Sequence, residues 1–261
     1  MSVEKVNLVY FSATNTTKRV LKAIAEGVNC TDIQEYNITL GKSEEVVFNP
    51  NELVVFGFPV FAGRIPQISV EALKQFKGSQ TPAIIACVYG NREYDDALLE
   101  LRDIVASNQF KIISAGAFIG QHSIFPKVGT NRPDLSDLNS AKEFGYQSIK
   151  NLPNLLNKEG FPLLEVKGNK PYKEPKSVPL YPTADKTCTA CGKCVRNCPT
   201  KLFLKKIHEK RIKHVVYLVV GVFMFVRKTP ENLKECFIPW PPKSLLRRIL
   251  KGRNRNSFLY K

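Results

Sequence analysis

The chain has 261 residues, of which 43% are hydrophobic, so it can bury a core and extensive disorder is excluded. The net charge of +16 is concentrated in residues 201–261, which hold 16 basic and three acidic side chains, whereas the preceding 200 residues hold 23 and 20. No nucleic-acid partner is therefore predicted. No charged leader followed by an apolar run begins the sequence, and four of the seven cysteines lie within eleven residues, so we expect a reducing, cytoplasmic location.

Apolar runs alternate with amphipathic segments along residues 1–160. Strands are predicted over residues 6–11, 31–38, 51–60, 82–90 and 111–120, and helices over 18–28, 66–76, 94–108 and 134–156. This alternation predicts an α/β fold: a doubly wound, five-stranded parallel sheet with helices on both faces. The flavodoxin-like strand order is one natural arrangement for five such strands.

The C-terminal third differs in composition. Residues 161–184 contain five prolines and few long apolar runs, so they are interpreted as an extended linker packed on the surface. A cysteine-rich segment follows over residues 185–200, and a strongly basic, irregular tail over residues 201–261.

The first candidate site is the loop "SATNTT", which lies between the first predicted strand and the first predicted helix. Unpaired amides at a helix N-terminus favour an anion, and hydroxyl groups surround them here. No GxGxxG is present, so a mononucleotide phosphate is favoured over a dinucleotide. Ser12, Thr14, Asn15 or Thr16 acting as a simple helix cap remains the alternative.

Two further strand ends carry aromatic residues and glycines. "FPVFAGRIP" follows the third strand and "YGNREYDDA" the fourth. Such residues at adjacent strand ends suit a flat ring at the sheet edge, although each loop alone is also an ordinary turn. His122, after the fifth strand, is interpreted as a loop histidine rather than a catalytic one.

These three loops resemble the cofactor loops of flavodoxin-like domains, over roughly residues 3–157. The resemblance implies FMN, with phosphate contacts from Ser12, Thr14, Asn15, Thr16 and Thr17. It implies that the ring lies between Pro59, Phe61, Ala62 and Gly63 on one side and Tyr89, Gly90, Asn91 and Tyr94 on the other. Asn15 departs from the family pattern, which usually has a small residue, commonly glycine, at this position.

The second candidate site is "CTACGKCVRNCPT". Cys188, Cys191, Cys194 and Cys198, followed by Pro199, match the bacterial ferredoxin spacing C-x₂-C-x₂-C-x₃-C-P. Thiolates at this spacing favour a 4Fe-4S cluster, whereas zinc, the alternative, usually takes two cysteine pairs with a longer spacer. A flavodoxin-like domain followed by this motif resembles the flavodoxin–ferredoxin fusion family, whose members carry two such motifs.

The second motif is absent, and valines occupy its place. Val216, Val219, Val222 and Val226 repeat the cysteine spacing, and in a shifted reading frame each can be read as cysteine, the last followed by proline. We therefore interpret the sequence after about Lys201 as a frameshifted second ferredoxin half, which resequencing near that codon would test.

A genuine tail is the alternative. "KSLLRRILKGRNR" would then form a basic amphipathic helix on a membrane surface, and Cys236 would be a remote cluster ligand. Membrane insertion is not expected, because the one long apolar run is too short to span a bilayer.

The sequence thus predicts an electron carrier or oxidoreductase subunit that moves electrons between FMN, 4Fe-4S cluster(s) and a redox partner protein. A docking module with a degenerate flavin site, or a zinc-binding protein, is the alternative.

Overall fold

A computed structural model describes residues 3–41, 44–150, 152, 161–175, 192, 196–199 and 256–260. The strands are β1 (Lys5–Tyr10), β2 (Ile33–Asn37), β3 (Val46–Phe48), β4 (Glu52–Pro59), β5 (Phe76–Gly78), β6 (Pro82–Tyr89), β7 (Lys111–Ile119) and β8 (Ser257–Tyr260). The helices are α1 (Thr16–Val28), α2 (Gln67–Leu73), α3 (Ala97–Ser107) and α4 (Leu135–Lys150). No helix among the described residues has the length and apolarity needed to cross a bilayer.

The main sheet has the order β2-β1-β4-β6-β7-β8. Its first five strands are parallel, and counted along the chain they follow the order 2-1-3-4-5, which defines the flavodoxin-like doubly wound fold. The N-terminal part of the chain therefore has the predicted α/β fold. Because all five strands are parallel, their carboxyl ends meet at one edge of the sheet.

Side chains alternate between the two faces of this sheet. On β1, Val9 belongs to the core beneath α2 and α3, whereas Leu8 belongs to the core beneath α1 and α4. Both are completely buried, as period-two alternation requires for a strand covered on both faces. Burial on both sides thus explains the apolar runs of β1, β4, β6 and β7, whereas β2 lies at the edge of the sheet and has no fully buried residue.

Two glycines let α1 and α4 approach closely on one face. A Cβ on Gly27 would lie 1.8 Å from the carbonyl oxygen of Lys142, and one on Gly145 would lie 2.0 Å from that of Ile24. Any larger side chain at either position would push the two helices apart. This contact fixes α1, and so the N-terminal loop of α1, relative to the sheet.

The boundaries differ from the prediction in the region of α2. The predicted helix over residues 66–76 ends at Leu73, because Phe76 begins β5 and pairs with Val46 of β3. The two three-residue strands form a separate small parallel sheet that the sequence analysis does not predict. Most of the predicted helical extension beyond Lys150 lies outside the described residues.

The last described residues correct the prediction of an irregular tail. Ser257–Tyr260 form β8, which pairs antiparallel with β7 and makes the sheet six-stranded. The ring of Phe258 lies 5.1 Å from the rings of both Phe118 and Phe144, so aromatic packing holds the strand in place. The hypothesis of a frameshift concerns residues 201–261, of which the structure describes residues 256–260, and it stays untested.

Candidate functional site

A cleft of about 260 Å³ opens at the carboxyl edge of the parallel strands. Its walls are the loops that follow β1, β4, β6 and β7. In doubly wound folds ligands bind at this edge. This volume is slightly below the ~300–1,000 Å³ that is typical of small-molecule sites. A ligand in the cleft would therefore be only partly enclosed.

Two hydrogen bonds made by Ser12 hold the loop after β1 in place. The Ser12 hydroxyl oxygen accepts a hydrogen bond from the Lys18 N–H at 3.1 Å, and the Ser12 N–H donates to the Thr39 hydroxyl oxygen at 2.9 Å. Asn15, at the N-cap of α1, adopts the left-handed conformation with φ of 60° and makes no side-chain capping bond. Ser12 thus fixes the loop, and the simple cap by Asn15 is not present.

The amides of this loop remain available to a ligand. Within the described part of the chain, the N–H groups of residues 14–17 have no hydrogen-bond acceptor. The Thr14 and Thr16 hydroxyl groups lie 3.1 Å apart beside them. Unpaired amides at the positive end of a helix, next to hydroxyl groups, form an anion site of the kind that binds phosphate.

A tight turn follows β4. Phe61 and Arg64 exchange two backbone hydrogen bonds of 2.8 and 3.1 Å around Ala62 and Gly63, whose φ values are 53° and 90°. Two positive φ values in succession define a two-residue turn that favours glycine. A Cβ on Gly63 would also lie 2.6 Å from a carboxylate oxygen of Asp95, so the turn lies directly against the loop after β6.

Aromatic rings support both loops. The ring of Phe61 packs edge-on against that of Phe11, with centroids 6.1 Å apart, and the ring of Tyr89 packs edge-on against that of Tyr94 at 5.6 Å. Burial raises the pKa of Tyr89 above its ordinary value, so its hydroxyl group stays protonated. The two loops form rigid, partly apolar walls on either side of the cleft.

Most of the predicted cofactor residues meet in this cleft. Its lining includes Ser12, Thr14, Thr16, Thr17, Pro59, Phe61, Ala62, Gly63, Tyr89 and Gly90. Asn15, Asn91 and Tyr94 do not line it: Asn15 and Asn91 have positive φ and shape their loops, and Tyr94 packs behind Tyr89.

In the loop after β7, the sequence points to His122 as a loop histidine but to no ligand contact. Gly120, Gln121, His122, Ser123, Ile124 and Phe125 all line the cleft. A Cβ on Gly120 would lie 2.8 Å from Cγ2 of Thr16, so this loop closely approaches the start of α1. Its position after a parallel strand is the signal that points to it.

Two charged residues complete the lining. Burial alone would raise the pKa of Glu93, but the Lys167 ammonium 3.0 Å away and the N–H of Tyr94 lower it below its ordinary value. Arg92, also in the lining, pairs with Asp95. The cleft therefore holds one carboxylate and one guanidinium, both already paired.

The cluster site is described at one of its four residues. Cys188, Cys191 and Cys194 lie outside the described residues, and Cys198 is buried. Across the ranges that the structure describes, no group of three or more histidine, cysteine or carboxylate side chains is arranged to hold a metal ion.

Residues 161–175, which we call the arm, run along α3 without forming a helix or strand. The guanidinium of Arg102, near the middle of α3, donates to the carbonyl of Leu164 at 3.3 Å. At the start of α3, the carboxylate of Asp96 accepts from the N–H groups of Asn169 and Lys173 at 2.8 and 2.7 Å. The arm therefore leads the chain towards the carboxyl edge of the sheet.

The arm contacts the same loops that line the cleft. Arg64, beside the turn after β4, forms a two-pronged ion pair with Glu100, with distances of 2.7 and 2.8 Å, and lies 4.6 Å above the ring of Tyr172. Lys173 pairs with Asp95 at 3.0 Å. Arm and cleft thus share the loops after β4 and β6.

Comparisons with known proteins give structural matches alone. Neither a family model nor a curated protein sequence matches the chain significantly. Similar structures include a flavodoxin from the domain Archaea (16% identity, TM-score 0.41, 57% of this chain and 99% of that one) and oxidised flavodoxin 1 from Bacillus cereus (14%, 0.43, 56% and 98%). A Fusobacterium nucleatum flavodoxin bound to flavin mononucleotide matches with 13% identity, a TM-score of 0.41, and coverage of 57% and 98%. The strand order of the sheet is the basis of the fold assignment.

Proposed function

We propose that the chain is an electron-transfer protein that binds FMN in the cleft and exchanges electrons between this flavin, a 4Fe-4S cluster and a redox partner protein. The observation that carries the proposal is the set of unpaired amides at residues 14–17, located in the same cleft as the aromatic loops after β4 and β6. A phosphate and a planar ring require these two features side by side.

The chain's residues would divide the work of binding. The N–H groups of residues 14–17 and the hydroxyl groups of Thr14 and Thr16 would hold the phosphate. Phe61 and Tyr89 would border the ring and exclude water from it. When bound, FMN supplies reversible uptake and release of electrons, and the protein tunes this chemistry through hydrogen bonds and burial.

The cluster part of the proposal is supported by the cysteine spacing and by the path of the chain. Lys173, near the end of the arm, pairs with Asp95 in the loop after β6, and Cys188 follows fifteen residues later. The chain also returns to this edge, because Asn256 accepts a hydrogen bond from the N–H of Ile119 at 2.9 Å. The chain is therefore at the edge of the sheet where flavin would bind both at Lys173, before the cysteine motif, and at Asn256, after it.

Location and partner follow from the same chemistry. A 4Fe-4S cluster on four thiolates suits a reducing compartment, which supports the cytoplasm. The two charged side chains of the described cleft, Arg92 and Glu93, are held in ion pairs. We therefore propose that the electrons pass to a redox partner protein.

Binding of FMN and of riboflavin to the purified chain tests the flavin site. We expect FMN to bind with quenched fluorescence, and Thr14→Ala/Thr16→Ala to weaken FMN binding about a hundredfold, because two hydrogen bonds to a charged phosphate are lost. Riboflavin, which has no phosphate, should bind both forms equally. Ser140→Ala, an exposed hydroxyl change on α4, is the control.

The opposite results have a clear meaning. If the wild-type chain binds neither flavin, the cleft is degenerate and the domain acts as a docking module. If metal analysis after anaerobic reconstitution returns zinc in place of iron, the cysteine motif is a zinc site.

A further inference from the structure

His122 is a cleft residue whose two ring nitrogens have different surroundings. It is half-buried in the loop after β7 and lines the cleft. Its ring lies 4.8 Å from that of Phe125, and its Cδ2 would lie 2.7 Å from a Cβ on Gly90. Glycine at position 90 therefore makes room for this imidazole at the end of β6.

The loop fixes which nitrogen carries the proton. Nδ1 accepts hydrogen bonds from the N–H groups of Ile124 and Phe125, both at 3.2 Å. A proton on Nδ1 would face these two donors and break both bonds. The neutral imidazole must therefore carry its proton on Nε2.

The ring is also held in its neutral form. Burial and, to a smaller extent, the nearby Arg92 guanidinium lower the pKa of His122 to about 4. Glu93, the other charged residue in the cleft lining, is already paired with Lys167. At neutral pH His122 is consequently a neutral hydrogen-bond donor.

Within the described ranges, Nε2 of His122 makes no hydrogen bond to the protein. Both side-chain hydrogen bonds of His122 in this part of the structure are made by Nδ1. Among the described residues, Oδ1 of Asn7 is the only buried side-chain nitrogen or oxygen atom without a hydrogen-bond partner. Because Nε2 of His122 is unpaired and is not such a buried atom, it is accessible to solvent. The Nε2–H group is thus an unpaired donor, open to solvent, on a side chain that lines the cleft.

We propose that His122 is a ligand-binding residue that donates its Nε2–H to an acceptor atom of the flavin ring. This inference rests on the proposed flavin site and adds a residue from a loop outside the predicted set. It makes the loop after β7 the third wall of the ring site, beside the loops after β4 and β6.

The ring is a better partner than the phosphate for two reasons. A phosphate dianion attracts cations, whereas this imidazole is held neutral. His122 also packs against Gly90, beside Tyr89, while the amides of residues 14–17 already form an anion site. A neutral donor suits a ring atom that gains electron density on reduction, and it stabilises the reduced state more than the oxidised state.

His122→Asn in the full chain isolates the Nε2–H. The Asn oxygen takes the place of Nδ1 and keeps the two loop hydrogen bonds, but no donor reaches the position of Nε2. We expect affinity for both FMN and riboflavin to fall about tenfold, and the flavin midpoint potential to become more negative. The unfolding midpoint without flavin should be unchanged. Thr130→Ala, an exposed change in the same loop, is the control.

The outcomes separate this inference from the proposed function. Flavin binding by the wild-type chain that His122→Asn leaves unaltered overturns the role of His122 alone. A loss confined to FMN, with riboflavin binding intact, places the donor at the phosphate and also overturns it. No flavin binding by the wild-type chain overturns the proposed function and this role together.

Nitrogen chemical shifts of the His122 ring give a readout that needs no flavin. We expect the neutral form with its proton on Nε2 from pH 5 to pH 8, since the pKa lies near 4. A ring protonated on Nδ1, or a transition between pH 6 and pH 7, would contradict the inference.

Discussion

Asn15 is the residue at which the chain departs from the pattern that its phosphate loop resembles. Its φ of 60° is a conformation that glycine adopts without cost and asparagine tolerates better than most residues. The Asn15 side chain makes no capping hydrogen bond. The property of this residue that the loop needs is therefore its left-handed backbone conformation.

Substitutions of Asn15 test this requirement. Asn15→Val should lower the free energy of unfolding by about 1–2 kcal/mol, because a β-branched residue is strained at this φ. Asn15→Gly should change it by a few tenths of a kcal/mol. Urea unfolding of the flavin-free chain measures both values. Equal stability of the two variants would show that the loop does not need the left-handed conformation.

The sequence predicts individual site residues where the strand before them is evident. Ser12 and Gly63 follow buried apolar runs, so their place at the sheet edge follows from the fold. His122 follows such a run as well, but "GQHSIFPK" contains no acidic partner that would mark the histidine as functional. The proposed role of His122 depends on hydrogen bonds from two backbone N–H groups to Nδ1, and these bonds cannot be predicted from the sequence.

At the scale of elements, β8 closes one edge of the sheet. Phe258 packs between Phe118 and Phe144, whereas Leu259 points outwards and is 39% exposed. Phe258→Ala should lower the free energy of unfolding by about 2 kcal/mol, because a half-buried aromatic contact is lost. Leu259→Ala is the matched control and should cost a few tenths. If the two variants unfold alike, β8 is not bound to β7 in solution.

The arm is the second element that can be tested alone. Tyr172 donates a hydrogen bond to Asp103 and places its ring under Arg64. Tyr172→Ala should increase the rate of proteolytic cleavage within residues 161–175 several-fold, because the arm then detaches more often. Tyr172→Phe keeps the ring contact and should show a smaller increase.

Leu163→Ala provides the control for the arm, since this side chain is 49% exposed. It should leave the cleavage rate unchanged. A rate for Tyr172→Ala that equals the wild-type rate would contradict the tight contact between arm and α3.

Long elements are predictable from this sequence and short, non-local ones are not. Four of the five parallel strands are predictable because burial on both faces requires continuous apolar runs, and the edge strand β2 is predictable from its alternating pattern. The three-residue strands β3 and β5 are too short for a periodic signal. The strand β8 pairs with residues more than 130 positions away, and its four residues follow a basic tail that has no strand pattern.

At the scale of the whole molecule, the carboxyl edge of the sheet brings together the cleft, the arm and the start of β8. The cleft opens there, the arm leads there, and β8 begins there beside Tyr94, whose hydroxyl oxygen accepts from Ser257 at 3.5 Å. Helices cover both faces of the sheet, so this edge is where a flavin would remain reachable by another redox group.

Anaerobic reconstitution of the full chain with FMN, iron and sulfide tests the proposal most directly. Flavin and metal are quantified per chain after removal of unbound cofactors. We predict one bound FMN together with iron and sulfide in the ratio of a 4Fe-4S cluster, and loss of the iron in Cys188→Ser/Cys191→Ser with the flavin retained. A chain that returns colourless, without flavin and with zinc in place of iron, would contradict the account.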